Sequence, residues 1–227
     1  MLKSVYQAVQ LLFSGDREVY FIAFTSLKFS SISIIICAAF SIPLGVSLGL
    51  KNFWGKRFIV VVLNSLMALP TVVIGLLVYS FLSRSGPLGQ FSLLFRPQAI
   101  IIGQTILSFP IVASMVYGGL SRMDRQLPET LITLGASQKD IFWMTLKESR
   151  IVILSAVLAG FGRVIGEVGV SMMLGGNIRW FTRTLTTAIA LETSRGEFEL
   201  GLALGLILML IAFAVNFALH WMIKHES

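Results

Sequence analysis

Apolar residues along this chain gather into five long runs, at about Phe21–Leu50, Phe58–Leu82, Ala99–Leu120, Ile151–Leu174 and Phe198–Ile223. Each reaches the roughly twenty residues that a helix needs to cross the hydrocarbon of a bilayer. Backbone in lipid must satisfy its own hydrogen bonds, and a helix does so within one segment. The pattern therefore predicts an all-α integral membrane protein with five transmembrane helices, forming one transmembrane domain over residues 1–227. Ahead of the first run, Val5, Ala8, Val9 and Leu12 recur at helical spacing within residues 1–19. That segment reads as an amphipathic helix lying in the membrane interface, with a poorly formed extra span as the alternative. A signal peptide fits badly, because another spanning run begins almost at once.

The runs differ inside. The first is longer than a bilayer requires, so it tilts, curves at Pro43 or projects beyond the membrane. Its Gly45 and Gly49, four apart, make a face on which another helix can pack closely. Pro70 and Pro110 fall inside the second and third runs and are expected to kink them. Carbonyls freed at such kinks are tolerated where a neighbouring helix or a water-filled path satisfies them. Thr71, Thr105, Ser108 and Ser114 lie near these positions. They read either as a polar path beside kinked helices or as hydroxyls that serve packing.

Composition agrees with the runs. The chain is 56% hydrophobic and 13% charged, with mean hydropathy +0.85, whereas soluble domains carry about a quarter charged residues. A net charge of +7 would suggest nucleic acid in a soluble protein. In a membrane protein it speaks of orientation and of attraction to anionic lipid, so no nucleic-acid partner is expected. The single cysteine, Cys37, lies within the first run and forms no internal disulfide. Lys51, Lys56, Arg57, Arg122, Arg125, Lys139, Lys147, Arg150 and Lys224 fall on one side of the predicted spans; Lys3, Arg17, Arg84, Arg96, Arg179, Arg183 and Arg195 fall on the other. The positive-inside rule makes the first side the cytoplasm, with the N-terminus outside and the C-terminus inside.

One connection is itself built as structure. Between the third and fourth runs, Pro128 to Arg150 reads PETLITLGASQKDIFWMTLKESR. Pro128 suits a first helical position, and Glu129 with Thr130 follows in the first turn, where negative charge meets the helix dipole. Gly135 ends that helix where only glycine takes a left-handed conformation cheaply. Ser137 then caps a second helix, with Asp140 three residues on as a weak capping box. Ile141, Phe142, Met144 and Thr145 lie on or near one face of it. The outcome is a helix–glycine–helix bracket, suited to plugging into a partner.

The fourth run carries the other informative stretch, GRVIGEVGVSMMLGGNIRW from Gly162. Arg163 and Glu167 are four apart, a spacing at which they pair on one helix. An ionised side chain in mid-membrane costs at least about 2.5–3.5 kcal/mol, so such groups seek a partner or a wet cavity; snorkelling toward one end is the alternative. Ser171 lies one turn further on, and Gly160, Gly162, Gly166 and Gly169 open the same region to close approach. Beyond it, Gly175, Gly176, Asn177 and Ile178, followed by Arg179 and Arg183, form an outer loop.

These two stretches resemble the permease subunits of binding-protein-dependent ABC importers. The family's coupling loop reads Glu-Ala-Ala, three residues, Gly. Here Glu129, Thr130, Leu131 and Gly135 occupy those places, with Ala136 and Ser137 after the glycine. At the far end Thr145, Lys147 and Glu148 replace the family's Ile, Leu and Pro. The fourth run resembles the oxyanion branch of the family through Arg163, Gly166, Glu167 and Gly169, then Gly176, Asn177 and Ile178. Further support comes from Ala68–Val73 and from Gly196-Glu197-Phe198-Glu199. The overall pattern is most like the tungstate permeases.

The resemblance implies a type I ABC importer permease fold in a bacterial or archaeal cytoplasmic membrane. It implies a second copy of the permease about one pore, two ATP-binding subunits below, and an extracytoplasmic oxyanion-binding protein delivering the anion. Glu129, Thr130, Leu131, Gly135, Ala136 and Ser137 would shape the bracket, with Ile141 and Phe142 as contacts to the ATP-binding subunit. Pro70, Thr71, Thr105, Ser108, Pro110, Arg163, Glu167 and Ser171 would form the translocation path and gate. Asn177, Arg179, Arg183 and Arg195 would dock the binding protein or draw anions to the mouth. The cargo would be a tetrahedral oxyanion, tungstate first, with molybdate or sulfate as alternatives and a self-contained anion channel as a more distant one. No cofactor, metal site or catalytic residue is expected. His220 and His225 are the only histidines, and no phosphate-binding loop occurs, so ATP hydrolysis belongs to another chain.

Overall fold

A computed structural model describes residues 16–122 and 126–226, and the regular structure among these residues is entirely helical. Asp16 caps the first helix, α1 (Arg17–Leu50), by accepting the Glu18 and Val19 N–H groups at 2.8 and 3.1 Å. At 1.5 Å per residue these 34 residues extend about 51 Å, well beyond the ~30 Å hydrocarbon of a bilayer. Pro43 lies inside α1 without ending it. The interfacial helix expected over 1–19 lies largely outside the described residues. What is described of it, from Arg17 on, belongs to α1 instead.

The second run is not one kinked helix. It is α2 (Lys56–Met67) and α3 (Thr71–Leu82), which meet at 102°. Pro70 sits at the break as the residue before α3, in extended backbone. It has no N–H to offer a continuing helix and disfavours helical backbone in the residue before it. Pro110, in contrast, is buried inside α4 (Pro97–Leu120), which runs through it unbroken. The bracket follows as α5 (Gln126–Thr133) and α6 (Gln138–Glu148). The fourth run is again two helices, α7 (Arg150–Ile165) and α8 (Gly169–Gly175), bent by 60°. A helix absent from the hydropathy reading, α9 (Leu185–Arg195), precedes the last, α10 (Phe198–Glu226). By length and composition three of the described helices can cross a membrane, or five spans form if each bent pair counts as one.

α4 is the hub, packing against α1, α7, α2, α8 and α3. Its most extensive packing is against α1, and a pair of absent side chains lets the two approach. A Cβ on Gly45 would lie 2.8 Å from the Val116 Cβ, and one on Gly49 would lie 2.9 Å from the Leu120 Cβ. The core between these helices and α7 is built on Ile34, Cys37, Val46, Val112, Val116 and Ala156. A second cluster joins α3, α4 and α8 through Ile74, Val78, Leu107, Val170 and Leu174. A third seals the start of α1 against α9 and α10 through Val19, Ile22, Leu185, Ala188 and Leu204.

These packings separate two ends. At one, Leu50 and Leu120 pack on the same core as Phe142 and Leu146 of the bracket, and Lys56 lies over the Tyr117 ring. At the other, Glu18 meets Arg179 and Arg183, and the Phe95 N–H bonds the Leu174 carbonyl at 2.9 Å.

Candidate functional site

Three regions carry the residues singled out from the sequence. In the bracket, the α5 end is closed by two backbone bonds: Ala136 N–H to the Leu131 carbonyl (2.9 Å) and Gly135 N–H to the Ile132 carbonyl (3.0 Å). That pairing needs a left-handed residue, and Gly135 supplies it at φ +78°. Ser137 and Asp140 then form a full capping box. The Asp140 N–H donates to the Ser137 Oγ at 3.3 Å, and the Ser137 N–H and Oγ–H donate to the Asp140 carboxylate at 3.0 and 2.6 Å. The Ser137 hydroxyl first, and its N–H second, hold the Asp140 carboxyl below the usual carboxylate range. Thr130, Gly135 and Ser137 are exposed and Leu131 and Ala136 half-buried, while Glu129 belongs to α5 through its backbone.

The outward face of the bracket differs from the expected one. Ile141 is 4% exposed, and Phe142 packs on the core between α1, α4 and α7. These two side chains attach the bracket to its own body. The apolar surface left outside is Ile132, Leu134, Trp143 and Met144, with Leu134 77% and Trp143 65% exposed. Helical periodicity put Ile141 and Phe142 on an apolar face without saying which neighbour would cover it.

The second region is where the two helix breaks meet. A Cβ on Gly169 would stand 3.3 Å from both the Thr71 Oγ1 and the Glu167 Oε1, so the start of α3 lies against the start of α8. Arg163 and Glu167 do pair, at 2.8 Å, but the helix ends between them at Gly166. Glu167, 3% exposed, also accepts the Val170 N–H at 3.2 Å, and its own carbonyl takes the Thr186 hydroxyl at 2.8 Å. One carboxylate thus neutralises a cation and ties down the first turn of α8. Thr71, Arg163 and Glu167 come together here, beside the exposed Pro70.

The other path candidates do not join them in the open. The Thr105 hydroxyl bonds the Ile101 and Ser33 carbonyls, and buried Ser108 bonds the Gln104 carbonyl at 2.9 Å. Thr105 and Pro110 line a groove of about 890 Å³ whose walls, from Phe40 and Leu44 to Leu77 and Phe81, are otherwise apolar. Ser171 is buried and meets Gln104, a residue the sequence reading passed over. Gln104 accepts the Ser33 hydroxyl at 2.9 Å and donates to the Val164 carbonyl and the Ser171 Oγ, both at 3.4 Å. It joins α1, α4, α7 and α8 at one buried point. Its signal was plain: it is the one amide side chain in the third apolar run.

The third region is the loop between α8 and α9. Gly176, Asn177 and Trp180 all have positive φ, and the loop closes on itself through three N–H groups, those of Phe181, Thr182 and Arg183, on the Ile178 carbonyl. Arg179 grips Glu18 with both its Nε and its Nη2. Arg183, with a side chain only 10% exposed, reaches Glu18 at 3.3 Å and Glu192 at 3.6 Å, and Arg195 also meets Glu192 at 3.6 Å. Three arginines expected at an open mouth are therefore answered by two glutamates of this same chain. Among the described residues the buried Asn177 Oδ1 has no hydrogen-bond partner.

The sequence and the fold have close counterparts. The chain is 42% identical over 214 residues to the tungstate uptake system permease protein TupB of Campylobacter jejuni, covering 94% of this chain and 90% of that one. It is 41% identical to the protein of that name from Peptoclostridium acidaminophilum, covering 94% and 93%. A chain of the MetNI methionine ABC transporter, solved in inward-facing conformations, superposes with a TM-score of 0.72 at 18% identity, over 93% of this chain and 95% of that one. Residues 41–225 match the model of the binding-protein-dependent transport system inner membrane component, and the chain belongs to that family of multi-pass inner membrane permeases.

Proposed function

We propose that this permease moves a tetrahedral oxyanion, with tungstate as the favoured cargo, into the cytoplasm by alternating access. The observation that carries the substrate is the 42% identity, over almost the whole length of both chains, to a tungstate uptake permease. As a permease subunit the chain hydrolyses no ATP itself. In this reading two copies enclose the pore, two ATP-binding subunits sit on the bracket side, and a binding protein delivers the anion to the opposite face. Five spans, formed by α1, the pair α2–α3, α4, the pair α7–α8, and α10, set the termini on opposite sides, and in this reading the positive-inside rule makes the N-terminus the outer one.

The charge geometry supports a path rather than a trap. A dianion must leave as readily as it enters, so a conducting site favours hydroxyls, backbone N–H groups and diffuse potential over bare cations. Arg163 is neutralised by Glu167, and the arginines of the outer loop are held by Glu18 and Glu192. At the helix breaks stand the Thr71 hydroxyl and the uncapped start of α3. Discontinuous helices of this sort form substrate sites in other transporter folds. On the inner side, Ile132, Leu134, Trp143 and Met144 form the apolar knob that fits a groove in the ATP-binding subunit. Closure of the ATP-binding pair on ATP draws the two brackets together and biases the permease between its two states.

Reconstitution with the cognate ATP-binding subunits and binding protein tests this. Tungstate should drive uptake that depends on ATP and on the binding protein, and molybdate or sulfate should compete according to how tightly the binding protein holds each. Anion flux through the permease alone overturns the reading. In a Cys37→Ser background, Leu134→Cys should react with impermeant maleimide in inverted vesicles and not in right-side-out ones; the reverse pattern overturns the orientation.

A further inference from the structure

Between Glu18 and Asp124 the chain contains no acidic residue, yet it carries seven cations: Lys28, Lys51, Lys56, Arg57, Arg84, Arg96 and Arg122. Three of these, Lys51, Lys56 and Arg57, fall within seven residues in the connection from α1 to α2. None of the three forms an ion pair among the described residues. Lys56 donates to the Asn52 Oδ1 at 3.1 Å and lies 5.5 Å from the Tyr117 ring centroid; Lys51 and Arg57 are exposed. The first turn of α2 thus holds two cations and no acid, the wrong sign for the positive end of a helix dipole.

The same few residues expose their aromatic side chains. Trp54 is 100% exposed, Phe58 72% and Phe53 45%. The apolar run of α1 ends at Leu50 and that of α2 begins at Phe58. Seven residues tethered at both ends to membrane helices can rise only about 12 Å from the hydrocarbon edge, at roughly 3.5 Å per residue out and back. At that depth an indole beside cations has a favourable environment, the headgroup layer, where tryptophan concentrates and lysine and arginine meet phosphate.

We propose that Lys51, Trp54, Lys56 and Arg57 form a binding surface for the anionic phospholipid headgroups of the leaflet they face. Trp54 seats at the level of the ester carbonyls, and the three cations take the phosphates that no acid of this segment supplies. The surface holds the inner end of α2 against the bilayer, so the 102° break at Pro70 works against a fixed foot. None of this depends on which anion is transported.

The test uses the full chain with Trp54 as its sole tryptophan (Trp143→Phe, Trp180→Phe, Trp221→Phe), in vesicles of phosphatidylcholine alone or mixed with phosphatidylglycerol. Trp54 fluorescence should be quenched by lipids brominated on the acyl chain and shielded from aqueous acrylamide. Phosphatidylglycerol should be enriched around the protein over phosphatidylcholine. The combined variant Lys51→Gln, Lys56→Gln, Arg57→Gln should lose about fivefold of that preference per cation, the equivalent of about 1 kcal/mol each. If that variant fails to insert, the parent chain decides alone, because the enrichment should collapse at high salt, where exposed charges are screened. Acrylamide quenching of Trp54 in both lipids, or a salt-independent absence of enrichment, overturns the proposal. So does protection that appears only when the ATP-binding subunit is added, which would make the loop a protein-docking site.

Discussion

Glu167 answers the Arg163 guanidinium and the Val170 N–H with its carboxylate, and the Thr186 hydroxyl with its backbone carbonyl. Glu167→Ala removes the first two contacts; Glu167→Gln keeps an oxygen for the Val170 N–H but loses the charge and the second acceptor, leaving Arg163 to water. Leaving a buried donor unsatisfied costs about 1–3 kcal/mol, and Arg163, 41% exposed, recovers part of its loss from water. The alanine variant should therefore unfold at a clearly lower temperature in detergent than the glutamine variant, which should fall only slightly below the parent. Equal unfolding of all three would mean that the carboxylate holds nothing. Gly135 is a different kind of residue, chosen for backbone alone. At φ +78°, with nothing within 4 Å of the space a Cβ would fill, Gly135→Val strains the turn without any clash. Uptake per ATP hydrolysed should drop in that variant while membrane insertion stays normal, as measured in proteoliposomes.

At the scale of the element, the bracket helix α6 depends on a cap that senses protons. Because the folded-state pKa of Asp140 is depressed, its contribution is present above the ordinary aspartate value of about 3.9 and is lost as pH falls through the lower folded value. Amide exchange at Ser137–Ile141 should speed up in that acid window, beyond the intrinsic pH trend, and Asp140→Asn should abolish the extra step. This cap was legible in the residue pattern, as were the Gly135 turn, the close-packing face of Gly45 and Gly49, though not that α4 fills it, and the Arg163–Glu167 pair. The breaks were not. Pro43, Pro70 and Pro110 look alike in a hydropathy profile, yet two lie inside continuous helices and only Pro70, exposed at the join, separates two. Packing on both sides decides that, and packing is not local. Helix α9 escaped for a related reason. Its Thr184–Thr187 capping box and its left-handed Gly196 were readable as start and stop, but eleven half-polar residues never resemble a span.

Across the whole molecule, charge is arranged by end. At one end, Glu18 and Glu192 hold Arg179, Arg183 and Arg195, fastening the start of α1 to the 176–184 loop and to α9. Glu18→Gln should loosen this clasp by about 1–3 kcal/mol, the penalty for leaving a mostly buried guanidinium short of a partner. Faster amide exchange should appear in the first turns of α1 and in the 176–184 loop together. An effect confined to α1 would mean that the two are not joined through these charges. The sequence assigned those arginines to the outside but could not supply their partners, because Glu18 and Arg179 are 161 residues apart.

Ser149 alone separates α6 from α7, and the hydrogen-bond ladder crosses it: its N–H bonds the Thr145 carbonyl and its own carbonyl takes the Ile153 N–H, both at 2.9 Å. The two helices are thus tied across a single non-helical residue by two backbone bonds, which leaves a joint of one residue between the bracket and α7. A shift at the end that carries Trp143 should therefore be felt at the end that stops beside Glu167 through that one joint. In the proposed mechanism, force applied at the tip would pass along α7 as geometry, with no relay of small rearrangements in between.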